Sequence, residues 1–174
     1  MTTVAVLAAA QRIRTAIETL PANVLPITFS NFPRGACGDA CLILGTYLEE
    51  ECNLGAFDFV TAERGVCADN TWTSHAWLQK GDLFVDITAD QFLDAPSAIV
   101  VEVNSPWHDT FAVERRNPSN LKSWTGHGTY HVLSLYARIK RHLAGTPIAI
   151  TRCRCVSRTR WRFTCWCARR NRSR

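Results

Sequence analysis

Long apolar runs are missing from this 174-residue chain. None approaches the roughly 18 consecutive apolar residues that a membrane-spanning helix needs, which excludes a helical membrane protein. The longest apolar stretch near the start, Val4 to Ala10, has no basic residue ahead of it, whereas a secretory signal usually begins with one. An amphipathic first helix and a cytoplasmic address are expected instead. Acid is missing too, but from one end only. From Thr151 onward there are nine Arg and no Asp or Glu, so residues 1–150 hold eleven Lys+Arg against fifteen Asp+Glu. The net charge of +5 is therefore made in the tail, and the body alone carries −4. Such a body offers no phosphate-binding surface, and nucleic acid is expected as a partner only through the tail. No internal repeat is visible, and the length suits one domain with a full core.

The tail also lacks cysteine pairs at metal-binding spacing. Cys153-x-Cys155 and Cys165-x-Cys167 have one intervening residue, where structural zinc sites use two or more. His127 and His131 lie four apart, but Gly128 stands where an H-E-x-x-H motif has its Glu; exposed helix-start histidines are the expectation, with no metal and no cofactor. The other four of the eight cysteines, Cys37, Cys41, Cys52 and Cys67, read as reduced thiols when no export signal precedes them. After Ile150 the chain turns to Arg, Cys and Trp, with no helical or strand period and little aliphatic content. The expected division is a catalytic domain over 1–150 and a tail over 151–174. The tail is either a disordered extension or the product of a shifted reading frame, with a functional basic arm as the alternative.

What is present is an α+β pattern. Thr2 or Thr3 can cap a helix to about Leu20, with Val6, Ile13, Ile17 and Leu20 on one stripe. A short extended piece, Ile27 to Phe29, leads into an irregular connection ending at Gly35 and Ala36. A second helix is expected from Cys37 to about Glu51, with Cys37, Cys41, Leu44 and Leu48 at helical spacing and Asp39 in its first turn. Strands are expected at Phe57–Thr61, Thr71–Leu78, Leu83–Thr88 and Ala98–Val103, with Lys80-Gly81-Asp82 joining the middle two as a hairpin. A last helix runs from about Thr129 to Leu143, stopped by Gly145 and Pro147.

Three residues in this pattern carry thiol chemistry. A thiolate is favoured at a helix N-terminus, where backbone N–H groups lack intrahelical partners, and Cys37 falls there. The same N–H groups suit an oxyanion. His75 lies on a strand with Trp72 and Trp77 beside it. Asp86, eleven residues later on the hairpin partner, falls close to opposite His75 and within reach of a cross-strand hydrogen bond. Each residue alone also has an ordinary reading: Cys37 as a small core hydrophobe, His75 as a structural histidine, Asp86 as a turn or capping acid. Cys41 is the rival nucleophile, but it sits a full turn into the helix and on the core stripe. Asn31, six residues before Cys37, is a candidate oxyanion donor, with a loop turn as its plainer account; Gln91 is a weaker candidate for the same role.

Gly35-Ala36-Cys37-Gly38-Asp39-Ala40, His75-Ala76-Trp77-Leu78 and Val85-Asp86-Ile87-Thr88 resemble the nucleophile, H-A-W and V-D-x-T segments of the transglutaminase-like superfamily. The resemblance spans Gly35 to Thr88. It implies Cys37 as nucleophile, His75 as general base and acid, and Asp86 as orienting carboxylate. It also implies a papain-like core in which the nucleophile helix packs on an antiparallel sheet. The short interval from Cys37 to His75 leaves no room for a calcium or acceptor insertion of the large cross-linking enzymes. The expected activity is hydrolysis or deamidation of a peptide or protein amide through an acyl-enzyme. The alternatives are acetyl transfer from coenzyme A, as in arylamine N-acetyltransferases, and a catalytically silent peptide-binding module.

Overall fold

The structure, a computed structural model, describes residues 3–66, 72–126 and 128–145. The expectations for Thr2, Cys67, His127 and the tail lie outside those residues. Helix α1 (Thr3–Thr19) buries Val6, Ala9, Ala10, Ile13, Ala16 and Ile17, a stripe at three- and four-residue spacing that needs a partner surface. Helix α2 (Cys37–Glu50) supplies it, and is buried almost all round from Ala40 to Leu48. Helix α3 (Thr129–Gly145) buries Val132, Leu135, Tyr136 and Ile139 along one face.

Five strands form one antiparallel sheet in the order β4-β3-β2-β1-β5: β1 (Asp58–Val66), β2 (Trp72–Lys80), β3 (Leu83–Asp86), β4 (Val100–Val103) and β5 (Ala112–Pro118). The β2–β3 hairpin closes with Lys80 opposite Leu83, around Gly81, whose φ of +56° is a conformation glycine adopts without Cβ strain. Strand residues alternate between faces. Phe59, Ala76, Leu78, Leu83 and Val85 join the core shared with the three helices, while Val60, Ala62, Trp77 and Phe84 join Phe111 in a second, mostly aromatic cluster. The chain is α+β as expected, and among the described residues no helix is long and apolar enough to cross a membrane.

Three local expectations are corrected. Ile27–Phe29 is a turn of 3-10 helix, not an extended piece: the Phe29 N–H donates to the Pro26 carbonyl at 2.9 Å, which tucks Phe29 into the core. Strand β3 ends at Asp86, because the Thr88 N–H and hydroxyl turn back onto the Asp86 carboxylate. Strand β5 has no counterpart in the sequence reading. It is an exposed edge strand with Arg115 and Arg116 in its middle, and polar edge strands carry no apolar alternation to reveal them.

Two contacts fix how the helices sit on the sheet. Arg14 of α1 is largely buried and holds Asp90 with two parallel bonds of 2.8 and 2.7 Å, while also donating to the carbonyls of Ile87 and Ala98 at 2.8 and 2.9 Å. This fork clamps the β3–β4 connection that follows Asp86. Gly45 of α2 meets Ser119 so closely that any Cβ would overlap its side chain.

Candidate active site

Helix α2 begins at Cys37 with no side-chain cap on its first N–H groups. Gly35, at φ +74°, makes the turn into it. This places a half-buried thiol where unpaired backbone donors point outward. Asp39, in the first turn, accepts from the Thr28 hydroxyl at 2.7 Å.

The sheet register brings the other two residues together. Leu78 opposite Val85 puts Asp86 level with Trp77, so His75 and Asp86 are diagonal neighbours on one face, two residues off the directly opposed position expected from sequence. A diagonal pair of this kind is within reach of a long side chain, and His75 Nε2 lies 2.7 Å from Asp86 Oδ2. His75 is 2% and Asp86 1% exposed. The other carboxylate oxygen, Oδ1, accepts from the Thr88 N–H at 2.7 Å and its hydroxyl at 2.9 Å.

Burial works against charge on both groups, and their mutual attraction outweighs it. For His75, desolvation is opposed by the Asp86 carboxylate, through charge and hydrogen bond, and by a hydrogen bond with the Cys37 thiol; its pKa is raised to about 9. For Asp86, desolvation is likewise overcome by His75, by a hydrogen bond from His108 and by the Thr88 N–H, which hold the carboxyl well below its usual range. Cys41, one turn further into α2, is buried, and its thiol is pushed well up, first by desolvation and then by the Asp86 charge.

The ring edge of His75 not taken by Asp86 faces Gln91, whose amide nitrogen is 3.1 Å from Nδ1 and donates to the Thr88 carbonyl at 3.0 Å. Gln91, a minor candidate from sequence, therefore belongs to the constellation. Asn31 is exposed in the turn before α2, where its carbonyl accepts the Arg34 N–H at 2.9 Å, and it is not among the residues lining the cleft beside Cys37. That cleft, about 470 Å³, is bordered by Cys37, His75, Ser74, Thr61, Glu63 and Trp124 among others. On the other side of Trp124 lies a more apolar hollow of about 790 Å³, walled by Ile27, Leu42 and Val132. His131, expected to be exposed, is exposed and stands at its rim.

Sequence reasoning missed His108. It sits on a turn of 3-10 helix, His108–Thr110, is 1% exposed, and places Nε2 3.4 Å from Asp86 Oδ2. His75, Asp86 and His108 offer two imidazoles and a carboxylate within 4.8 Å of one another, a donor set of metal-binding type. Here those atoms are engaged with each other, with Thr88 and with Ser105. Nothing in the local sequence around His108 marks it, since its partners lie 22 residues away on β3 and three residues away at Ser105. No protein-family profile, curated protein or solved structure matches the chain.

Proposed function

We propose that the chain is a thiol-dependent acyl-transfer enzyme of transglutaminase-like, papain-like type that hydrolyses or deamidates a peptide or protein amide. The observation carrying this reading is the sealed His75–Asp86 hydrogen bond of 2.7 Å, set against a thiol at the open start of a helix. With its proton passed to His75, Cys37 attacks the amide carbonyl as the thiolate, and the new oxyanion faces the N–H groups of the first turn of α2. His75, protonated, gives its proton to the departing amine, so that ammonia or an amino terminus leaves and a thioester remains. His75 then takes a proton from water as that water attacks the thioester, and collapse releases the acid and the Cys37 thiolate, restoring the starting pair. Asp86 holds the imidazole with Nε2 toward itself and stabilises its charge throughout. The hollow beyond Trp124 offers room for an apolar side chain next to the scissile amide.

The test is incubation of the full chain with glutamine-containing and blocked peptides, followed by mass spectrometry of products and of the protein. Acyl-thioester on Cys37 and released ammonia or new amino termini, both abolished in Cys37→Ala, are the expected result. Acetylation of Cys37 by acetyl-coenzyme A with passage to an arylamine would favour the transferase alternative. Peptide binding without turnover, unchanged in Cys37→Ala, would point to a binding module.

A further inference from the structure

Behind Asp86 lies a line of polar groups that a Cys-His-Asp set does not require. His108 Nδ1 is 2.7 Å from Ser105 Oγ, and the Ser105 hydroxyl in turn donates to Glu102 on β4. Ser105 and His108 are sealed from solvent. A hydroxyl has one proton. Since Ser105 gives it to Glu102, Ser105 Oγ must accept from His108 Nδ1–H. Its other nitrogen, Nε2, points at Asp86 Oδ2, so the ring lies between Ser105 and the carboxylate.

Two imidazoles thus converge on the same oxygen, Asp86 Oδ2, at 2.7 Å from His75 and 3.4 Å from His108. Their rings are nearly parallel, 6.4 Å between centroids. A carboxylate oxygen shared by two donors is a weaker acceptor for each. We propose that His108, backed by Ser105 and Glu102, is a positioning residue that competes with His75 for Asp86 and so loosens the hold of the carboxylate on the His75 proton. The inference rests on the thiol-hydrolase reading, in which His75 must surrender that proton to a leaving amine. A general acid held too tightly transfers poorly at neutral pH.

The other groups around the two rings leave this competition in place. His75 is faced by Asp86, Cys37 and the Gln91 amide. His108 is otherwise packed between Phe84, Trp77 and Trp107, with ring centroids at 5.2, 4.8 and 4.8 Å. The nearby cation Arg64 lies over the rings of Phe92, Trp107 and Phe111 and is paired with Asp94 at 2.6 Å.

The experiment follows the His75 ring by NMR titration in the full chain, using histidine labelled with nitrogen-15, and needs no substrate. His108→Phe keeps a ring in the aromatic cluster and removes the competing donor. Its His75 midpoint should rise by about half a pH unit or more, roughly a threefold gain in proton affinity. His108→Gln restores an uncharged donor and should fall between wild type and His108→Phe. Glu102→Gln, at a half-buried position, should move the midpoint the same way by less, and it keeps the test open if His108→Phe does not fold. A midpoint that stays put or falls in the folded variants would overturn the proposal, as would a stoichiometric metal ion on the purified chain. If the midpoints move as expected but no amide is cleaved, the hydrolase reading alone is lost.

Discussion

The two clusters on either side of the sheet are built from different chemistry. On the helix side, Ile13, Ile17, Ile43, Leu44, Leu48, Leu78 and Ile139 make an aliphatic core that holds α1, α2 and α3 against the strands. On the other side, Trp77, Phe84 and Phe111, with Phe92 and Trp107 against them, surround His75, Asp86 and His108. His75 alone has ring neighbours at 5.0 Å (Phe92), 5.6 Å (Phe111) and 5.8 Å (Trp107). Aliphatic side chains fill volume and give no electrostatic return to a buried charge. Aromatic rings also exclude water, but their quadrupoles orient around an imidazolium. The aliphatic side is expected to set stability, and the aromatic side to set the protonation of the candidate site.

Substitutions can break that division or sharpen it. The largest effect expected is chemical. Asp86→Asn should keep the side-chain shape but leave His75 without its carboxylate, lowering any thiol-dependent turnover by about 10³-fold or more, as read from product formation. At pH 6.5 the same variant should alkylate Cys37 with iodoacetamide far more slowly than wild type, in which Cys37 should outpace Cys41 and Cys52. Equal rates at all three thiols in wild type would contradict the assignment of Cys37.

Next comes Leu48→Ala, on the aliphatic side. A fully buried leucine replaced by alanine costs about 2–5 kcal/mol, measured by denaturant unfolding, and the folded fraction should keep the wild-type alkylation rate of Cys37. Its counterpart across the sheet, Phe111→Leu, should cost less stability, about 1–2 kcal/mol, yet change the pH dependence of that rate. A Leu48→Ala protein with altered thiol reactivity would show that the two clusters are not separable.

Gly45→Ala is smaller and tests packing alone. The added methyl meets Ser119, and relief by a backbone shift is expected to cost about 1–3 kcal/mol. Ser119 itself donates to the Phe57 carbonyl at 2.8 Å, which limits how far it can yield.

A further effect is one of pH. The pKa of His75 is raised from 6.5 to about 9, so its proton adds stability in full below about 6.5, and that contribution is lost as pH rises through about 9. Asp86 is shifted downward, so its contribution is complete above the ordinary carboxylate range and fails only in strong acid. The melting temperature of wild type should therefore fall between pH 7 and 10 relative to His75→Phe, which lacks the titrating group. Parallel curves for the two proteins would mean the pair adds nothing to folding.

Much of the framework could be read from spacing. The stripe of α1, the extent of α3, the start of α2 at Cys37 and the turn at Gly81 follow from local periodicity and backbone preference, which need no knowledge of distant residues. Arg14 escaped notice because an arginine within an apolar stripe looks like an error until Asp90, 76 residues away, is seen to receive it. Strand β5 escaped because its sheet-forming role comes from pairing with β1 and not from burial of its own side chains. Gln91 was assigned a different task because the side chain's direction depends on the turn that follows β3.

The sequence by itself determined that a thiol would stand at a helix start and that His75 and Asp86 would share a hairpin, since a short turn fixes register within a residue or two. Tertiary structure alone decided that Asp86 would be shared. His108 reaches it from the loop that follows β4, backed by Ser105 of the same loop and by Glu102 on β4. The meeting of groups from separate elements is fixed by the packing of those elements, and no local period in the chain encodes it.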